Sequence, residues 1–464
     1  MRSKFERLIK DTLIFAIGSI GSKLILFVMM PIYTNYLTEA EYGISELVFS
    51  VSQLLIPFLS LVIFDAVVRF GLSKEHNAED VLLVGLLVFG VGSILTVMIT
   101  PIIGLYDALA EWKWYLCAYI ILTILVFIEY SYLQATDQNK LYAVVNIFQT
   151  LILATLNVVL LIFVRMGIRG YLLSVIVANA AAALVVFVVG KLPAVLKKAH
   201  FRRDLFRQML AFSTPLILNN VSWWAIHSSD KVMIEWMIGS AALGIYTVAT
   251  KIPSLINVII SIFSQAWNIS TVKELEGAND TAFYSDVFYV YQVVVFGACI
   301  GIVSVIKPFM SIYVGEAFRE AWRYVPLLLL SAAMSAIASY FTSLYAAFKK
   351  SMNNMLTTLT AALVNVAVNY VLILRIGVMG AVVGTVAAYF VLFLMRMFGA
   401  GKYVEIKINW FVFVLNFMIA TIQVVMVTCD FHAFAVSLLA GAAFLGCNLK
   451  YACRFVKRYR TSDV

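Results

Sequence analysis

After Asp80 the chain runs Val81-Leu82-Leu83-Val84-Gly85-Leu86-Leu87-Val88-Phe89-Gly90-Val91-Gly92-Ser93-Ile94-Leu95-Thr96-Val97-Met98-Ile99-Thr100-Pro101-Ile102-Ile103, and no charge appears before Asp107. Wound as a helix at 1.5 Å per residue, this stretch crosses a hydrocarbon core of ~30 Å and leaves no polar face for water. It is a membrane span rather than a buried core helix. Working outward, apolar runs bounded by charged or Gly/Asn/Asp-rich breaks fill the chain. They lie roughly at 11–36, 44–71, 80–106, 112–135, 141–164, 170–191, 208–237, 241–271, 284–313, 322–347, 353–375, 378–400, 407–428 and 431–453, about fourteen in all.

Composition agrees. Hydrophobic residues make up 63% of the 464, charged residues 13%, and mean hydropathy is +0.95, whereas soluble domains carry about 25% charged residues. The expected fold class is an all-α polytopic membrane protein, and nothing resembles a soluble enzyme. The first apolar run is too long for a signal-peptide core and leads into Pro31-Ile32-Tyr33 without a small-residue cleavage site, so it reads as the first span. Cys117, Cys299, Cys429, Cys447 and Cys453 show no CxxC spacing, and His76, His200, His227 and His432 form no ligand pair, so neither a disulfide framework nor a metal site is expected.

The net charge of +9 is distributed by side of the membrane. With the N-terminus placed in the cytoplasm, 23 of the 34 basic residues fall on the cytoplasmic face. Among them are Arg2, Lys4, Arg7 and Lys10, the loop residues Lys197, Lys198, Arg202, Arg203 and Arg207, Arg396, and the C-terminal Lys450, Arg454, Lys457, Arg458 and Arg460. The opposite face holds seven: Lys113, Arg165, Arg169, Lys307, Arg319, Arg323 and Arg375. The positive-inside rule therefore places both termini in the cytoplasm, and the charge is not a nucleic-acid footprint.

An internal repeat follows. Arg165-Met166-Gly167-Ile168-Arg169-Gly170 and Arg375-Ile376-Gly377-Val378-Met379-Gly380 share R-x-G-x-x-G, each after an Asn-rooted apolar helix (Asn157, Asn369). Ala40-Glu41-Tyr42-Gly43-Ile44 is echoed by Ala241-Ala242-Leu243-Gly244-Ile245. The paired motifs occupy matching places in the span order and imply two parallel six-span halves. The expected division is 1–207, 208–404, and an appended pair of spans with a basic tail at 405–464.

Intramembrane charges are functional candidates, because each costs ~2.5–3.5 kcal/mol at mid-depth on insertion scales. The cations inside spans are Lys23, Arg69, Lys231 and Lys251, with Lys23 and Lys251 nearest the midplane; the acids are Glu46, Asp65, Glu129, Asp230 and Glu235. Asp65 with Arg69, and Lys231 with Glu235, are spaced for local i, i+4 pairing; Asp230 and Glu129 have no such neighbour. The functional reading makes the five acids ion-coupling candidates. Asn219, Asn220, Trp223 and Trp224, with His227, suit a hydroxyl-rich ligand through hydrogen bonds and ring stacking, and also suit interhelical packing. Seven prolines (Pro31, Pro57, Pro101, Pro215, Pro253, Pro308, Pro326) lie in or at the ends of spans, where they bend helices.

The stretch Pro31-Ile32-Tyr33-Thr34-Asn35-Tyr36-Leu37-Thr38-Glu39-Ala40-Glu41-Tyr42-Gly43, with Pro215-Leu216, Ser229-Asp230-Lys231 and Gly244-Ile245-Tyr246, resembles the polysaccharide-transporter branch of the multidrug/oligosaccharidyl-lipid/polysaccharide exporter superfamily, the lipid-linked oligosaccharide flippases. The resemblance covers nearly the whole chain. It implies a MATE-like pair of six-helix lobes around a central cavity, working by alternating access in the bacterial inner membrane. The implied cargo is an oligosaccharide repeat unit on undecaprenyl pyrophosphate, destined for O-antigen, capsule or exopolysaccharide, with membrane lipids and a polysaccharide polymerase as partners. No cofactor is implied beyond a coupling proton or sodium ion. For such a cargo Lys23 and Lys251 would hold the diphosphate, with Lys231, Arg69 and the Asn219–Trp224 cluster completing the substrate site. The alternative is a proton- or sodium-coupled antiporter of the same fold, for which acids should dominate the cavity. A membrane glycosyltransferase or polymerase would be expected to carry a large external loop or soluble catalytic segment.

Overall fold

The computed structural model describes residues 25, 27–73, 75–257, 260, 263, 264, 267, 281–348, 351–401 and 406–460. The described residues are helical with short connections, and no strand occurs among them. They divide into two compact units, Met1–Gly244 and Ile245–Val464. Ten described helices are long and apolar enough to cross a membrane, and the shorter apolar helix Ala433–Leu449 follows them.

In the first unit, α1 (Glu39–Ser60), α2 (Ile63–Gly71), α3 (Ala78–Ile103), α4 (Lys113–Ala135), α5 (Asn139–Asn157, continued by a π-turn at Val158–Phe163), α6 (Gly167–Val189), α7 (Arg203–Ser213) and α8 (Leu216–Met237) follow in order. α4 is the centre, packed against α1, α2, α3, α5 and α6, while α8 lies along α1. α1 begins at a capping box: the Thr38 hydroxyl accepts from the Glu41 N–H and the Glu41 carboxylate accepts from the Thr38 N–H, so two donors orphaned by the helix start are satisfied reciprocally. Helix α9 (Ser240–Lys251) then crosses the division between units.

The second predicted span, 44–71, is not one helix. Leu61 and Val62 adopt left-handed conformations (φ 49° and 51°) and separate α1 from α2. A β-branched residue there is strained, and such strain persists only where surroundings over-determine it. Three features do so. Pro57 lacks an N–H for the last turn; Ser60 Oγ donates to the Ile56 carbonyl (2.7 Å) and accepts from Val62 N–H (3.2 Å); and Gly92 of α3 backs onto the Leu59 carbonyl so closely that a Cβ would stand 2.2 Å from it. The predicted span 208–237 is likewise divided at Thr214–Pro215, between α7 and α8.

In the second unit, α10 (Thr281–Tyr313), a 3-10 segment (Glu316–Arg323), α11 (Val325–Ala347), α12 (Ser351–Ile376), α13 (Val378–Ala400), α14 (Trp410–Thr428) and α15 (Ala433–Arg460) follow. α13 packs tightly on α11 and α12, and α10 contacts α11, α14 and α15.

The R-x-G-x-x-G turns of the two units share a positive φ at their first glycine, while Arg165 is left-handed (φ 59°) and Arg375 still belongs to α12. Gly167 and Gly377 have φ of 54° and 62°, and the second glycine of each motif lies on the preceding helix. A Cβ at Gly170 would meet Leu160 Cβ at 3.1 Å, and one at Gly380 would meet the Leu372 carbonyl at 2.3 Å. Leu160 and Leu372 each stand three residues after the motif's asparagine. Asn157 itself is buried and donates to the Tyr33 hydroxyl (3.0 Å).

Candidate functional site

α8 is not among the ten apolar spans, because Asn219, Asn220, His227, Asp230, Lys231 and Glu235 interrupt it. A helix this polar holds its place in an apolar bundle only if its polar groups are satisfied by protein or line a cavity. Both occur. On α1 the residues Glu46, Ser50, Gln53 and Pro57 succeed one another at spacings of four, three and four; on α8, Asn220, Trp224, His227 and Lys231 do the same. Each set occupies one helical face, and the two faces meet. The Lys231 ammonium forms an ion pair with the Glu46 carboxylate, with both side chains nearly inaccessible. Trp224 Nε1 donates to the Ser50 carbonyl at 2.8 Å, and Ser228 Oγ stands 3.5 Å from Gln53 Oε1.

Beyond these contacts the helices part around a cavity of about 350 Å³. Its wall is made by Gln53, Ile56 and Pro57 of α1, Phe64 of α2, Tyr119, Thr123 and Phe127 of α4, and Asn220, Trp223, Trp224 and His227 of α8. The Trp223 and His227 rings are stacked, 5.5 Å apart and 12° from parallel. Gln53 and His227 are exposed residues, so the cavity is open at their side. Aromatic faces with a few amides and hydroxyls are the usual lining of small-molecule sites, and the volume lies within their ~300–1,000 Å³ range.

A buried polar chain reaches this wall from behind. Tyr130 Oη donates to Gln149 Oε1 (2.7 Å), Gln149 Nε2 donates to Asn179 Oδ1 (2.7 Å), and Asn179 Nδ2 donates to Thr123 Oγ1 (3.1 Å). Thr123 and Tyr119, four residues apart on α4, both face the cavity. The chain ties α4, α5 and α6 together and ends on Thr123 in the cavity wall.

Of the residues singled out by sequence, Asn220, Trp223 and Trp224 line the cavity and Lys231 lies in the adjoining ion pair; Asn219, one residue from Asn220, is not in the wall. Lys23 lies outside the described residues. Lys251 is the half-buried last residue of α9. Local pairing within helices is corrected at both places. Lys231 joins Glu46 across helices, while Glu235 Oε1 accepts from Ser240 Oγ at 3.0 Å, because a buried α8 turns Lys231 toward α1 rather than along its own exposed surface. Asp65 with Arg69 is not among the ion pairs of the described residues: the two are exposed, and Arg69 lies over the half-buried Phe212 ring, 4.2 Å from its centroid. Asp230 is buried and accepts from the Lys231 N–H at 2.8 Å. Glu129 and Glu235 are buried, each with one carboxylate oxygen that has no hydrogen-bond partner. Arg396, assigned by sequence to the cytoplasmic face, is buried in the second unit at 1% exposure. It donates to the hydroxyls of Thr342 (2.7 Å), Thr358 (3.0 Å) and Thr357 (3.3 Å).

Sequence reasoning missed Gln53, Tyr119, Thr123, Gln149, Asn179 and Arg396. For Gln149 and Asn179 a signal existed: an amide inside an uncharged run must find a partner in the bilayer.

Comparison with known proteins follows the same lines. The profile of a family described as polysaccharide biosynthesis protein matches residues 8–268. Two curated relatives come from Haemophilus influenzae (strain Rd). One is an uncharacterized membrane protein, 23% identical over 264 residues, 56% of this chain and 64% of that protein; the other is Lsg locus putative protein 1, 22% identical over 266 residues, 56% and 65%. The matches span a little under two thirds of those relatives. Among solved structures, the lipid II flippase MurJ in an inward closed conformation superposes with a TM-score of 0.73 at 13% identity, covering 96% of this chain and all of that one. An inward-facing MATE multidrug resistance transporter of the MOP superfamily gives 0.69 at 13%, covering 83% and 97%. At these identities the likeness establishes the fold, which is MurJ- and MATE-like.

Proposed function

Since the chain belongs to the polysaccharide biosynthesis protein family and is a multi-pass membrane protein of MurJ- and MATE-like fold, we propose that it is a flippase for undecaprenyl-pyrophosphate-linked oligosaccharide. It carries the repeat unit from the cytoplasmic to the outer leaflet of the bacterial inner membrane, for O-antigen, capsule or exopolysaccharide assembly, and hands it to polymerase machinery. The observation that carries the reading is the polar face of α8 laid on α1, with an aromatic and amide-lined cavity between them, inside a bundle otherwise made for lipid. A hydrophilic headgroup needs such a lining to cross; its polyprenyl tail stays in the bilayer. Residues 1–207 and 208–404 would be the bodies that rock by alternating access, with 405–464 appended and both termini cytoplasmic. Lys23 and Lys251 would hold the diphosphate. No cofactor is required, and a coupling proton or sodium ion would be carried at Glu129 or Glu235, whose bare buried oxygens a proton or cation would satisfy.

The test is transport in sealed inverted membrane vesicles. Radiolabelled undecaprenyl-pyrophosphate oligosaccharide should become inaccessible to an added hydrolase when the protein is present, and less so with Lys23→Ala or Lys251→Ala. No protection, together with ion-driven dye efflux, would make the protein an antiporter instead.

A further inference from the structure

Three ligand chemistries could occupy the cavity between α1, α4 and α8: a hydrocarbon chain, an anion, or an uncharged polar ring. A hydrocarbon would leave unused the hydrogen-bonding capacity that the Gln53 and Asn220 amides and the Tyr119 and Thr123 hydroxyls keep beyond their bonds to protein, and burying such capacity unmet is destabilising. An anion needs a cation with charge to give. Among the described residues the cation of this face, Lys231, is already held by Glu46, so a phosphate brought here would meet a paired charge whose acidic member repels it. The third chemistry satisfies the wall throughout. Trp223 and His227, stacked on one another, turn ring surface to the cavity, and sugar C–H faces pack on such surfaces while their hydroxyls find the amides.

The hydrogen-bond chain behind the wall adds direction. From Tyr130 through Gln149 and Asn179 to Thr123, every donor points toward the cavity. Thr123 therefore has its oxygen engaged by Asn179, which leaves the Thr123 O–H as the outward donor of an oriented series, with the Tyr119 hydroxyl beside it in the wall. Such a series aims a hydroxyl and holds it, because each member is fixed by the one before. Threonines elsewhere in the bundle, such as Thr96, Thr100 and Thr150, donate back to the carbonyl four residues earlier. Among the described hydrogen bonds Thr123 has none of that kind.

Resting on the flippase reading, we infer that this cavity is the sugar subsite of the headgroup: it takes one uncharged pyranose ring, stacked at Trp223 and hydrogen-bonded by the Thr123 and Tyr119 hydroxyls, and it excludes the diphosphate. Lys231 is thereby a positioning residue for α1 against α8 and not a phosphate ligand.

The full-length protein in nanodiscs is the material for the test. Ligand-observed saturation-transfer NMR is run with methyl glycosides of glucose, galactose, mannose, N-acetylglucosamine and N-acetylgalactosamine, and pyrophosphate is added as competitor. At least one glycoside should receive saturation at its ring protons, undisturbed by pyrophosphate. Trp223→Leu should reduce the signal to that of empty nanodiscs, and Tyr119→Phe should weaken binding about tenfold, the loss of one hydrogen bond to a ligand. Asn179→Leu, remote from the ligand, should also weaken binding by releasing the Thr123 hydroxyl, with thermal unfolding confirming that each variant is folded. Binding of no glycoside, or displacement by pyrophosphate that Lys231→Met abolishes, overturns the assignment. The vesicle transport assay separates the two readings: flipping by wild type with unaffected Tyr119→Phe and Trp223→Leu refutes the subsite alone, whereas saturable glycoside binding without flipping upholds the subsite and refutes the flippase.

Discussion

Each unit buries a cation inside a helical bundle, and the two solve the problem differently. In the first, Lys231 is neutralised by one carboxylate, Glu46, on the facing helix, beside an open cavity. In the second, Arg396 divides its guanidinium among three threonine hydroxyls on α11 and α12, and those hydroxyls send their own protons to the carbonyls of Ala338 and Asn354. The first arrangement joins opposite charges across two helices, strong while both are present and costly when one is lost. The second spreads the load over dipoles, each of which keeps a partner if the arginine goes. A cation that must stay put is served by the second, whereas an ion pair between two helices can part when the helices do.

The largest expected effect tests this contrast directly. Glu46→Leu strands the Lys231 ammonium in a nearly inaccessible place, and breaking a buried pair on one side costs about 3–5 kcal/mol. Lys231→Met removes the ammonium from the Glu46 carboxylate and should also be destabilising. The double variant should recover most of the loss, since replacing a buried pair by apolar side chains is often neutral. Denaturation in mixed SDS micelles measures all three. Additive single losses in the double variant would mean that the two charges do not act on each other.

Arg396→Met should cost less, about 1–3 kcal/mol, because the three hydroxyls it leaves keep their own bonds to the Ala338 and Asn354 carbonyls. Arg396→Lys should not restore wild-type stability, since an ammonium cannot present the planar fork that reaches hydroxyls on two helices. If Arg396→Met proves as damaging as Glu46→Leu in the same micelle assay, the distributed arrangement offers no protection and the contrast between the units fails.

What could be read in advance follows the same physics. Span identity was legible in Val81–Ile103 and its counterparts because hydrocarbon imposes one requirement on length and composition. The resemblance carried by residues 31–43, 229–231 and 244–246 pointed to the correct family. Asn220, Trp223 and Trp224 were legible as a site because polar and aromatic groups are conspicuous in an apolar run. The break at Leu61–Val62 was not: neither residue favours a turn, and the cause lies in Ser60 and in Gly92 of another helix. The choice of partner for Lys231 was equally hidden, because spacing offers Glu235 and only packing presents Glu46. Arg396 was misplaced because a cation four residues from the end of a span reads as an interfacial anchor, and the three threonines that surround it come from helices whose adjacency no local pattern reveals.

The smallest effect concerns the turn that the two units share. At Gly380 a new methyl would stand 2.3 Å from the backbone carbon and oxygen of Leu372, atoms that move only with their helix, so Gly380→Ala should cost about 2–3 kcal/mol. At Gly170 the nearest atoms are the Met166 and Leu160 β-carbons at 3.0 and 3.1 Å, which a shift of a few tenths of an ångström would relieve. Gly170→Ala should therefore cost under about 1 kcal/mol, partly offset by the better helix propensity of alanine. The preceding π-turn at Val158–Phe163 supplies that slack, because it gives the end of α5 a wider backbone to adjust. Equal losses at the two glycines would show that the motif is packed to the same tolerance in both units, and that the π-turn does not loosen the first.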